Sequence, residues 1–205
     1  MPSLGSVSAA DFFDAMYAQA DGDDRQVPWH HAASRPLIGA WIDAIGPGRF
    51  RRALVVAAGL GDDAAALAAK GLEVVAFDYA PTAVEWARQR HPDAAVDWQV
   101  ADLFDPPTDW RAGFDLVIEV FTVQSIDPAR QADAAAAVRS FVAAGGTLVA
   151  VALVHDGTVV PDGPPWPVHP DTLATLTDGL DEVSRSSEPV SPTVELMQLE
   201  GVAPG

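Results

Sequence analysis

The run Ala53-Leu54-Val55-Val56-Ala57-Ala58 is apolar at every position and passes directly into Gly59-Leu60-Gly61-Asp62-Asp63. No other junction constrains the fold as much. A strand that is apolar on both faces has no solvent side, so it belongs inside a sheet that is covered above and below. The glycines read as a strand-to-helix turn. The helix is expected over 63–70, with Gly71 as its C-cap. Apolar, β-branched runs at 73–78, 96–101, 114–120 and 146–153 then alternate with helical stretches at 81–90 and 128–141. Pro81 sits where a first helical residue tolerates proline, and Pro92 follows the helix end. Gly145-Gly146 reads as the turn into the strand at 146–153. Such alternation is the signature of a parallel sheet with crossover helices. Two helices, 11–19 and 36–45, precede the sheet, with a polar loop at 21–31 between them. After a proline-rich loop at 161–170, a short helix near 171–178 leads to strands at 180–186 and 194–199. No helix separates these last two, so they are expected to pair antiparallel.

The chain has 205 residues, enough for one domain with a full core. The reading is a single domain over 1–205, with residues 1–50 as a helical cover and 51–200 as the sheet core. Without cysteine, disulfides and thiolate-ligated metals are excluded. Residues 1–10 lack the basic start and apolar core of a secretory signal, and no apolar run approaches the roughly 18 residues of a membrane span. The expected location is cytoplasmic, with no membrane partner. The formal net charge of −17 argues against nucleic acid as a substrate, because phosphate backbones are held mainly by Lys and Arg.

Three candidate strands end on an acid at the same edge. Asp78 closes the second, seventeen residues after Gly61. Ligands of open parallel sheets sit outside the carboxyl ends of the strands, where an acid can accept both hydroxyls of a ribose. Its bland alternative is a turn or helix-cap acid. Asp102 follows the third strand in Val100-Ala101-Asp102-Leu103. A carboxylate beside a backbone N–H there can read an adenine edge. Glu119 closes the fourth strand in Ile118-Glu119-Val120-Phe121. Together with the helix N-terminus behind Gly61, this indicates an adenosine-type ligand without saying which.

These residues are where a family becomes recognisable. The chain resembles the class I S-adenosylmethionine (SAM)-dependent methyltransferases, in particular the small bacterial group similar to thiopurine methyltransferase. The resemblance rests on Ala58-Gly59-Leu60-Gly61-Asp62-Asp63, on residues 76–83 around Asp78, and on Ala101-Asp102-Leu103. Phe114-Asp115-Leu116-Val117, Thr122-Val123-Gln124-Ser125 and Pro164-Pro165-Trp166-Pro167 complete it. It implies a doubly wound α/β fold with a seven-stranded, mostly parallel sheet and an antiparallel last strand. It further implies SAM as cofactor and methyl transfer to a small-molecule acceptor. Ala57, Gly59, Leu60 and Gly61 would face the methionine part of SAM. Asp78 would hold the ribose, Tyr79 would stack near the adenine, and Asp102 and Leu103 would read its edge. Glu119, or its backbone carbonyl, would lie near the amino group and the sulfonium. The family usually has glycine where this chain has Ala57, and an alanine there is expected to keep φ negative. Many members carry an acid at the position of Val55.

The acceptor side is less legible. His30 and His31 follow Trp29 in the loop that would fold over the cofactor, and either could take a proton from the acceptor, as could Glu119. Surface histidines are the bland reading. Trp29, Phe121, His155 and Trp166 are candidates to line the acceptor pocket, with loop packing the alternative for Trp166. Trp41, Trp86, Trp98 and Trp110 are assigned to packing or surface. No metal site is expected, since the histidines lack ligand spacing. The partner expected is a small, neutral or cationic acceptor with an apolar body, and the chain a monomer or homodimer. Two alternatives stay open on the same motifs: a lyase or cyclase that consumes SAM and releases methylthioadenosine, and a SAM-binding protein without turnover. An NAD-type protein is disfavoured because G-x-G-x-x-G is not met.

Overall fold

The computed structural model describes residues 9–20, 22–27, 34–158 and 163–205. A seven-stranded sheet runs through these residues. In chain order its strands are β1 (Arg52–Val56), β2 (Glu73–Asp78), β3 (Val96–Val100), β4 (Phe114–Val120), β5 (Val142–His155), β6 (Asp181–Ser191) and β7 (Val194–Val202). The spatial order is β3-β2-β1-β4-β5-β7-β6. The strands from β1 to β5 are mutually parallel, and β7 lies antiparallel between β5 and β6. This is the doubly wound, mostly parallel arrangement expected from the alternation of apolar runs and helices.

Period-2 alternation in strands buried on both faces builds two cores. Leu54, Val56, Val75, Phe77, Leu148 and Ala150 face one side, where α5 (Gln131–Arg139) and α6 (Pro170–Thr177) bring Ala134, Val138 and Leu176. Ala53, Val55, Val74, Ala76, Val149 and Val151 face the other. There they meet Ile38 and Ile42 of α2 (Ser34–Asp43), Leu67 of α3 (Asp62–Ala69) and Val84 of α4 (Pro81–Arg90). The four tryptophans assigned to packing or surface fall into place. Trp86, Trp98 and Trp110 are buried, and the Trp41 indole donates to the buried Glu200 at 2.9 Å.

The N-terminal helix α1 (Ala9–Ala20) is fastened to α4. Asp14 Oδ1 accepts from Thr82 N at 3.3 Å, one of the donors left free at the start of that helix, and Tyr17 meets Trp86 edge-on. A second fastening lies further along. The Arg90 guanidinium bridges Asp24 at 2.8 Å and Asp62 at 3.5 Å, and His91 Nε2 sits 3.2 Å from the Leu60 carbonyl. These contacts hold the residues before the sheet across the turn that follows β1.

Several boundaries differ from the sequence reading: β1 stops at Val56 and not at 58, β6 runs on to Ser191 and β7 to Val202. β5 starts at Val142, not at 146, because Gly145-Gly146 is an irregularity inside the strand. Val142 pairs with Phe114, the register then shifts, and Thr147 pairs with Leu116. Gly145 takes φ +71, and its N–H goes to the Pro204 carbonyl. Glycine inside a strand often marks such a bulge. The stretch 128–141 is not one helix. Asp127 caps a 3-10 turn at Pro128–Arg130, α5 begins at Gln131, and Ser140 ends it.

Candidate active site

The carboxyl ends of β1 to β4 share one edge, and a cavity of about 740 Å³ lies there. Phe12, Phe13, Met16 and Tyr17 of α1 form part of its lining. Its floor begins where β1 stops. Three residues in the next five take positive φ: Ala57 at +46, Gly59 at +53 and Gly61 at +83. The chain thereby curls back, with Ala58 N bonded to the Phe77 carbonyl at 2.8 Å and Gly61 N to the Ala58 carbonyl at 2.9 Å. Gly61 is required twice over. Besides its φ, a Cβ there would come within 2.4 Å of Trp98 Cη2. Ala57 corrects the expectation of a negative φ. It holds the left-handed conformation, at a cost of about 1–2 kcal/mol for an L-residue, because the bonds on either side fix the turn.

Asp78, at the end of β2, is buried against this turn. Its Oδ2 accepts from Gly59 N at 2.9 Å, and its Oδ1 accepts from Ala80 N at 3.0 Å. Burial pushes its carboxyl above the usual range, opposed by these backbone donors and assisted by the charge of Asp14. It is thus a turn acid and a cavity residue at once. Each ionised oxygen that accepts one N–H keeps capacity for a second donor. Tyr79 is exposed at the cavity rim, Asp102 accepts from Phe104 N at 2.9 Å, and Leu103 is buried beneath. All the expected contact residues from 57 to 103 therefore line the same cavity.

Glu119 is placed differently. Its side chain is fully buried and is not among those that line the cavity. Oε1 accepts from Thr122 N at 2.7 Å and Val123 N at 3.0 Å, while Oε2 is buried without a partner. Burial pushes its carboxyl up to about 7. The turn that it caps is strained. Phe121 takes φ +62, a genuine outlier for a bulky side chain, and is pinned by Phe121 N to the Val151 carbonyl at 2.9 Å and Ser125 Oγ to the Phe121 carbonyl at 2.8 Å. Phe121 lines the cavity beside Leu153 and Leu196.

The remaining acceptor candidates divide. Trp29, His30 and His31 lie outside the described residues. Trp166 is not a lining residue. Its N–H goes to the Gln124 carbonyl at 2.7 Å and its carbonyl to Gln131 Nε2 at 2.9 Å, so that Pro164 and Pro165 line the wall instead. His155 is buried away from the lining, 5.3 Å from the ring of His169, with Nδ1 accepting from Gly157 N at 3.1 Å. Burial and His169 hold its pKa below the usual histidine range.

Other cavity residues were not legible as such. Phe12, Phe13, Met16 and Tyr17 form an apolar stripe at helical spacing, which could have marked this face of the helical cover as a wall of the cavity. Gln124 is fully buried, with its Oε1 accepting from Leu153 N at 2.6 Å. Arg130 lies over the Phe104 ring, 3.6 Å from its centroid, and joins the loops after β3 and β4. Gln124 belongs to the stretch 122–125 that carries part of the resemblance, which assigns it no role, and no local pattern announces Arg130.

The donor set suits a nucleoside-type cofactor: carboxylates after β2 and β3, a curled glycine turn after β1, and an apolar roof. Residues 53–146 match the profile of the methyltransferase domain family. The matched stretch runs from β1 into β5 and so includes the ends of β1 to β4 that carry the cavity. No curated protein sequence matches the chain. Solved methyltransferases share its fold at low identity. One is the N-methyltransferase NodS from Bradyrhizobium japonicum, solved with S-adenosyl-L-homocysteine (SAH). It has a TM-score of 0.74 at 17% identity, over 97% of this chain and 100% of that one. Another is the 1,6-didemethyltoxoflavin N1-methyltransferase from Burkholderia thailandensis, with 0.71 at 18%, over 100% and 94%. The magnesium protoporphyrin IX methyltransferase from Synechocystis gives 0.72 at 14%, over 98% and 100%. The strained Ala57 lies within the matched stretch.

Proposed function

We propose that the cavity binds SAM along β1 to β3 and that its methyl group passes to a small acceptor held over β4 and β5. The single observation that carries the reading is Asp78. Its carboxylate closes β2 at the cavity floor, clasped to the N–H of Gly59, so that one side chain fixes the glycine turn and offers acceptor capacity beside it. The methionine part is assigned to residues 57–61, the ribose to Asp78, and the adenine to Tyr79, Asp102 and Leu103. When bound, SAM supplies an electrophilic methyl on a sulfonium. The chain's own part is to align the acceptor with that methyl and to exclude water. Phe12, Phe13, Phe121, Leu153, Pro164 and Pro165 provide an apolar enclosure for this. The ionisable lining is mainly acidic, with Asp62, Asp63, Asp102 and Asp127 against Arg130, which favours a neutral or cationic acceptor. The finer kinship proposed is with the small thiopurine-methyltransferase-like enzymes, acting in the cytoplasm as a single domain.

Mass spectrometry of the reaction mixture tests this. With SAM and a panel of small thiols, amines and phenols, the expected products are SAH and a methylated panel member. Enzyme-dependent methylthioadenosine from SAM alone would overturn methyl transfer, and preferential methylation of tRNA or DNA would overturn the acceptor class.

A further inference from the structure

Glu119 is a buried acid without a role in methyl transfer so far and, unlike Glu200, which is held by Trp41 and Arg49, it has one carboxyl oxygen without a partner. In register it pairs with Val56 of β1 and Ala150 of β5. Val56, Val120, Phe121 and Thr122 all line the cavity, so the residues around Glu119 form its floor between β1 and β4. Thr122 links the two. Its N–H bonds to Glu119 Oε1, its Oγ1 bonds to the Val56 carbonyl at 3.2 Å, and its surface lines the cavity. The second oxygen, Oε2, has neither a partner nor solvent.

The neighbours of this acid are apolar: its register partners Val56 and Ala150 and its backbone donor Val123 all belong to the core on that face of the sheet. The ionisable groups of the adjoining 127–139 segment point elsewhere. Asp127, Arg130 and Asp133 are exposed, and Arg139 bonds to the Asp178 carbonyl. None of the described charges contributes to the shift of Glu119, which comes from burial opposed by the two backbone donors. An unpaired buried carboxyl beside a ligand cavity, in a medium of reduced dielectric, responds strongly to any charge placed there.

We propose that Glu119 is the specificity-determining acid that distinguishes the cationic cofactor from its spent form, by pairing electrostatically with the sulfonium end of the site. The inference rests on the assignment of this cavity to SAM. With the cavity empty or filled by SAH, whose sulfur is uncharged, the acid keeps its proton on a substantial fraction of molecules near neutral pH. When a sulfonium enters, the Glu119 O–H bond breaks, the proton passes to solvent, and a carboxylate remains with Oε1 still held by Thr122 and Val123. Once the positive charge is gone after methyl transfer, the carboxylate recovers a proton from solvent. The neutral acid then has no charge with which to retain the product. Glu119 thereby favours SAM over SAH without touching the methyl acceptor.

Calorimetric titration of SAM and of SAH, each in buffers of different ionisation enthalpy, counts the protons exchanged. The Glu119→Gln variant keeps an acceptor for the two N–H groups and subtracts protons exchanged by the ligand's own amine. Relative to this variant, the wild type should release additional protons at pH 7 with SAM and not with SAH. Its SAM-to-SAH affinity ratio should rise roughly 5- to 10-fold from pH 6 to 8, against a flat ratio in Glu119→Gln. A second readout needs no variant: in infrared difference spectra, SAM and not SAH should bleach the carbonyl band of a buried protonated carboxylic acid. Binding of both ligands with equal proton counts and no such bleach would overturn this inference alone. Binding of neither by the folded protein would overturn the SAM site itself and this inference with it.

Discussion

Replacement of Asp78 by alanine is expected to weaken SAH binding by about 1.5–3 kcal/mol, roughly 10- to 150-fold, the scale of hydrogen bonds to a charged group. The loss has two sources. A carboxylate that would accept from the ribose disappears, and the N–H groups of Gly59 and Ala80 lose their acceptor. The second source makes asparagine a poor substitute. An amide presents one oxygen and one NH₂, so whichever way it turns, a donor faces one of the two backbone donors. Both variants should therefore bind SAH weakly by calorimetry, and Asp78→Asn should not recover the wild-type affinity. Wild-type affinity in Asp78→Ala would remove the ribose assignment.

Glu119→Gln should make the protein more stable at alkaline pH. The folded-state carboxyl stands at about 7 against an ordinary value of 4.5, raised by burial. An acid raised in the fold contributes its stability fully below the unfolded value, where it is protonated in both states. That contribution is lost as the pH rises through about 7, because the unfolded chain ionises freely and the buried group resists. A shift of this size corresponds to about 3 kcal/mol. Glutamine cannot ionise, so its advantage over the wild type should grow by about 2–3 kcal/mol between pH 5 and 8. Urea unfolding of both proteins across this range measures it. Parallel pH dependence in the two would show that Glu119 is ionised at no cost and that its burial is not the controlling factor.

The sequence carried the strand ends well where pattern and punctuation agree. The end of β2 at Asp78, α4 from Pro81 to Arg90, and β4 from Phe114 to Val120 coincide with their expected bounds, since each ends at a polar residue, a proline or a turn. It failed where tertiary bonds decide. Gly145-Gly146 has the composition of a turn, but pairing of Val142 with Phe114 absorbs it into β5. The left-handed backbone at Ala57 is imposed by the curled turn, and nothing in an alanine signals it. The site shows the same division. Three strands ending in acids were visible, but strands buried on both faces carry no alternation of polarity to say which side an acid takes. Asp78 continues the register of Val74 and Ala76 and reaches the glycine turn, whereas Glu119 shares a face with Val117 and turns into the core beneath the cavity. The burial of His155 and the docking of Trp166 depend on His169, Gln124 and Gln131, partners distant in the chain.

The central claim is that the cavity is a SAM site, and calorimetric titration of the wild-type protein tests it most directly. SAH should bind at one site per chain, and NAD, which shares the adenosine but requires room for a second nucleotide, should give no saturable heat under the same conditions. A folded wild type that takes up NAD and leaves SAH unbound would contradict the account.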